Sequence, residues 1–154
     1  MTCNPHWTTY LSALLVPIIA VLGIAIAYRQ WRTAQNKLKL DLFEKRFGVY
    51  DAACRFLASI MTRGKVLDGV THQFIVGTRE AKWLLNSDIA EYLNKQLYHK
   101  ALQLQGLDAV LEGLPVGPER VANVKEQGEL KDWMLQQYKV LDEMFFPFLR
   151  LEHY

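Results

Sequence analysis

Residues 29–62 read RQWRTAQNKLKLDLFEKRFGVYDAACRFLASIMT, with no proline and a single glycine. Leu40, Phe43, Phe47, Tyr50, Cys54, Leu57 and Met61 recur at steps of three and four. That period lays side chains along one face of an α-helix. Leu42, Val49, Ala53, Phe56 and Ile60 widen the face beyond a two-position seam, so this helix is expected at the centre of a bundle. The stretch decides the fold class: all-α.

Upstream the chain changes character. Residues 7–28 read WTTYLSALLVPIIAVLGIAIAY, and residues 1–28 contain no Lys, Arg, Asp or Glu. About 20 uncharged apolar residues in a helix cover about 30 Å, the thickness of a bilayer's hydrocarbon core. Trp7 and Tyr10 stand at one end and Tyr28 and Trp31 at the other, where amphipathic rings favour the headgroup region. Two other readings compete. Ala25-Ile26-Ala27 resembles a signal-peptide cleavage box, but there is no basic n-region and arginines stand just past the cut. A buried core helix would not be apolar on every face over this length. The expectation is a single membrane-spanning helix, with Pro17 loosening its middle.

Charge sets the expected orientation. Residues 29–46 carry a net charge of +4 and residues 47–154 a net of −2. Arg29, Arg32, Lys37 and Lys39 form a basic collar suited to anionic headgroups, whereas His6 is the only side chain ahead of the span that can carry positive charge. The positive-inside rule then puts the amino terminus outside and the body in the cytoplasm of a bacterial inner membrane. A nucleic-acid patch is the rival reading of the collar, and the acidic balance of the body disfavours it.

Within the span, Ala13, Val16, Ala20, Gly23 and Ala27 fall at steps of three and four. Small residues on one face let helix backbones approach in lipid, so these five are the expected homo-oligomer contact.

Downstream, Arg63-Gly64-Lys65 marks a turn, and a less regular helix is expected over 66–85, with Gly69 and Gly77 weakening its helix propensity. Asn86-Ser87-Asp88 offers an N-cap, with Glu91 placed to complete a capping box on Asp88. Ile89, Leu93, Leu97, Leu104 and Leu107 carry the next helix to about residue 111. The break GLPVGP over 113–118 ends it, and a last helix runs from 118 to 146, where Pro147 should stop it. The expected organisation is a short outer segment (1–6), the span (7–28), a basic juxtamembrane helix (29–62) and the rest of a bundle of about four helices (63–154).

Chemistry-bearing motifs are scarce. Cys3 and Cys54 make no CxxC, and by the expected topology they face opposite sides of the membrane. His6, His72, His99 and His153 are too scattered for a helical metal pair. Arg63 to His72 is too long, and Arg150 to His153 too short, for the R-x4–6-H pattern of one ribonuclease class. No phosphate-binding glycine loop or nucleophile elbow occurs. The chain is therefore expected to be no enzyme, with no cofactor and no metal.

The segment KLKLDLFEKRF at 37–47 with Val49-Tyr50, the later AKWLL at 81–85 with Asp88-Ile89, and FFPFL at 145–149 resemble small bacterial inner-membrane proteins with one amino-terminal span and a helical cytoplasmic domain. A weaker likeness is to the single-span accessory membrane proteins of type VI RNA-guided defence loci, which assemble as rings and make the envelope leaky; what that likeness implies here is oligomerisation through the span and juxtamembrane helix. The expectation is a self-associating, pore-forming or envelope-perturbing defence effector. The alternative is a membrane-tethered adaptor that recruits a cytoplasmic protein partner. The lipid bilayer is a partner in either case.

Overall fold

The computed structural model describes the backbone of residues 7–150 and the side chains of residue 15 and of residues 17–150. The described residues are all-helical, with no strand. Their order is α1 (Trp7–Arg63), α2 (Asp68–Thr78), the single turn α3 (Ala81–Leu84), α4 (Ser87–Glu91), a π segment (Tyr92–Tyr98), α5 (His99–Gly113) and α6 (Pro118–Leu149). Because α4, the π segment and α5 follow without a break, the body has about four helices, as expected. Residues 1–41 and 42–154 form two units.

The first unit is helix from residue 7 onward. Among the described side chains from Leu15 to Ile26, the large apolar ones are between 47% and 71% exposed.

The second unit holds the core. From α1 it takes Val49, Ala53, Phe56, Leu57 and Ile60, all essentially buried. Of the expected stripe only Leu57 is among them; Tyr50 and Cys54 are half-buried and Phe47 is exposed. The buried face is therefore rotated towards the residues expected only to widen it. The rotation suits Tyr50, whose phenol needs a polar partner and whose ring an apolar one. At the rim it has both: its ring meets Phe145 edge-on at 5.5 Å and its hydroxyl donates to Asp142 at 2.5 Å. On the other side, Phe56 stacks on Phe74 of α2 with centroids 4.3 Å apart. At Gly77 an added Cβ would lie 2.6 Å from the Cβ of Ala52, so α2 approaches α1 as closely as a missing side chain permits.

The turns are set locally. Gly64 closes α1 with φ +71°, a left-handed conformation that favours glycine, and its amide donates to Ile60 O at 2.7 Å. The expected helix over 66–85 is instead α2 and α3, separated by a turn at Arg79 and Glu80. Asn86, not Asp88, is the N-cap of α4: its Oδ1 accepts from Ile89 N at 2.9 Å. Glu91 then lies beyond reach of a capping box and pairs with Lys95. Arg120 donates to Leu111 O and Leu114 O, satisfying carbonyls at the end of α5.

Pro147 does not stop α6, which runs on to Leu149. Arg46 holds that final turn. Its Nε donates to Leu84 O at 2.9 Å and its Nη1 to Phe148 O at 3.4 Å, with the guanidinium 5.8 Å from the Phe148 ring centroid.

Candidate functional site

The residues expected to act at a membrane lie in the first unit. Ala20, Gly23 and Ala27 are helical and exposed, so their spacing places them on one face of α1. The side chains of Ala13 and Val16 lie outside the described residues. Around Gly23 an added Cβ would meet nothing within 4 Å, so the helix backbone is open to a neighbour there. Arg29, Arg32, Lys37 and Lys39 are all exposed, and Tyr28 and Trp31 pair at the same level with centroids 6.2 Å apart.

Among the described residues no helix is long and apolar enough to cross a membrane. The described part of the apolar run, residue 15 with residues 17–28, covers only about 20 Å as helix. The first half of the expected span, residues 7–14 and 16, lies outside the described side chains.

The second unit has three polar arrangements that the residue spacing does not announce. In the first, the Tyr92 hydroxyl donates to Gln137 Oε1 at 2.7 Å, and Gln137 Nε2 donates to Trp133 O at 2.8 Å. In the second, Gln127 Nε2 donates to Asn123 Oδ1 at 3.0 Å, while Asn123 Nδ2 donates to Leu107 O at 3.1 Å. Every buried side-chain polar atom among the described residues has a partner. These pairs tie α6 to the π segment and to α5, fixing the helices in register.

The third arrangement is an open cleft of about 320 Å³ where the end of α2, α3 and the start of the α4–π run meet. Arg79, Lys82 and Lys95 line it. A larger cleft, about 590 Å³, lies between α1 and α2 over Gly48, Ala52 and Ser59, with Arg55 as its one ionisable group. That guanidinium is already paired to Asp51.

Tyr50, Tyr92 and Cys54 are pushed towards their neutral forms. The hydrogen bond to Asp142 raises the Tyr50 phenol well above its ordinary value, and burial raises that of Tyr92 to about 12. Burial also pushes up the Cys54 thiol, which disfavours the thiolate needed for nucleophilic or metal chemistry. His72 and His99 are exposed, and the described residues contain no cluster of three groups able to hold a metal. His6, His153 and Cys3 lie outside the described residues.

No family model matches this chain, and neither does any curated protein or solved structure.

Proposed function

We propose that the chain is a non-enzymatic, membrane-anchored helical protein that self-associates through its first helix. The observation that carries the reading is the run from Leu15 to Ile26, whose large apolar side chains among the described residues are all exposed, followed at once by the exposed cations Arg29 and Arg32. An apolar surface of that extent on a water-soluble chain marks a place where something else covers it. A helix that is apolar all round and bordered by aromatic and basic residues suits lipid. The uncharged sequence from residue 7 to 28 supplies the length for a span, and the basic collar sets a cytoplasmic body in a bacterial inner membrane. An envelope-perturbing or pore-forming role in bacterial defence is the use proposed for such an assembly, by its likeness to the accessory membrane proteins of type VI RNA-guided defence loci.

A second reading keeps the anchor and makes the body an adaptor for a cytoplasmic protein. It is favoured by Val121, Val124 and Leu135, exposed along one face of α6.

Sizing separates the two. Beyond its own helix backbone and chain neighbours, the new Cβ of Gly23→Ile meets nothing within 4 Å, so the fold should stay intact. In detergent, light scattering should show the wild type as an oligomer and Gly23→Ile as smaller by at least about twofold, because close backbone approach is lost. A monomeric wild type removes self-association and leaves the adaptor. An unchanged oligomer in Gly23→Ile removes the span as the contact.

A further inference from the structure

The cleft at the start of the α4–π run has an unbalanced charge. Three cations line it, Arg79, Lys82 and Lys95, against one lining carboxylate, Glu91, and the Asp88 carboxylate beside Ser87 at its rim. Glu91 is already committed, since Lys95 Nζ lies 2.8 Å from Glu91 Oε1. Arg79 and Lys82 have no ion-pair partner among the described residues. Two unpaired cations on the rim of one concavity raise the local concentration of anions.

The remaining lining groups add donors. Ser87 contributes a hydroxyl that now reaches only to Asp88 Oδ1 at 3.4 Å, and a hydroxyl turns freely to a better acceptor. Asn94 Nδ2 donates to Ala90 O at 2.9 Å, which holds the amide at the cleft with its second N–H uncommitted by that bond. A guanidinium fork, an ammonium, a hydroxyl and an amide N–H together match the several acceptor oxygens of a phosphate. Beside them Trp83 is 80% exposed, with Lys82 Nζ 5.5 Å from its ring centroid. An indole left in solvent next to cations gives an apolar wall for the organic part of such a ligand. The volume of about 320 Å³ suits a headgroup-sized molecule rather than a folded partner.

We infer that this cleft binds a phosphate-bearing small ligand, held at Arg79 and Lys82 with its organic part against Trp83. The inference does not depend on the first helix being a membrane anchor. Two sources offer the same chemistry, an anionic lipid headgroup and a soluble phosphate ester.

The test is calorimetric titration of the full-length chain in a neutral maltoside detergent, at constant ionic strength. The probes are dihexanoyl phosphatidylglycerol, glycerol 3-phosphate and inorganic phosphate. Saturable binding of at least one is expected, accompanied by a change in tryptophan fluorescence that Trp83→Phe abolishes. Arg79→Gln with Lys82→Gln should weaken binding about tenfold or more, and Lys82→Gln alone should weaken it measurably. Lys139→Gln, a comparable loss of charge on α6, should leave affinity within about twofold. All four sites are exposed, so thermal melts should match wild type. Saturable binding confined to the lipid assigns a headgroup, and comparable binding of glycerol 3-phosphate assigns a soluble ester; both support the site. Absence of saturable binding by all three probes overturns it. So does a double variant that binds like wild type, or a Lys139→Gln loss equal to that of the double variant.

Discussion

The Tyr92 hydroxyl, on the first turn of the π segment, donates to Gln137 Oε1 on α6 across 2.7 Å, and both residues are buried. Gln137 is held from behind by its own bond to Trp133 O. The pair fixes the rotation of the π segment against α6. Tyr92→Phe keeps the ring and strands the Gln137 oxygen, so it should destabilise the body by about 1–3 kcal/mol. Urea unfolding should show a lower midpoint with an unchanged slope.

The same phenol makes stability fall in alkali. Burial raises Tyr92 from 10.0 to about 12, and the bond to Asp142 raises Tyr50 further. Below pH about 10 both states keep these protons and the contribution is fully present. Between pH about 10 and about 12 the unfolded chain loses the Tyr92 proton while the folded chain keeps it, so stability drops as pH rises. Thermal melts across that window should show the drop, and Tyr92→Phe should make it shallower.

Gly77 tests the approach of α2 to α1. A methyl there would stand 2.6 Å from the Ala52 Cβ, and neither partner is a flexible side chain. Gly77→Ala should therefore destabilise by about 1–3 kcal/mol despite the better helix propensity of alanine. Ala52→Gly in the same chain should recover part of that loss in a chemical melt.

Arg46 joins α1 to the carbonyls of Leu84 and Phe148. Arg46→Gln should fray the last turn of α6 first, because Pro147 already lacks the amide that would brace it. Hydrogen exchange at residues 148–150 should accelerate about tenfold or more, while the amides around Leu141 stay protected.

These contacts show which parts of the architecture the residues disclose. The period of α1 and the breaks at 63–65 and 113–118 are local, so they can be read directly. The rotation of α1 could not be, because an apolar arc that wide leaves its central line to whichever helices pack on it. The π segment did leave a trace. Ile89, Leu93, Leu97 and Ala101, all buried, are four apart at each step, a drift that 3.6 residues per turn would carry off the core face. A wider π turn restores the alignment. Pro147 reads as a stop because the Arg46 contact that holds its turn comes from about a hundred residues away. The cleft at Arg79, Lys82 and Lys95 is assembled by two turns and a helix start, and no spacing rule joins those positions.

Orientation has its own outcome. A thiol reagent that cannot cross membranes should label Cys3 in intact cells expressing the full chain if, as proposed, the charge step at residue 29 keeps the basic side in the cytoplasm. Labelling of Cys3 only after lysis would reverse the topology.

The central claim is that the apolar run at 7–28 sits in a bilayer, and alkaline carbonate extraction of membranes from cells expressing the full chain tests it most directly. Peripheral proteins leave the membrane under those conditions, whereas a spanning helix stays because its backbone and apolar surface are already satisfied there. The account predicts that the chain remains in the membrane pellet, in wild type and in Gly23→Ile alike; its appearance in the supernatant would contradict the anchor.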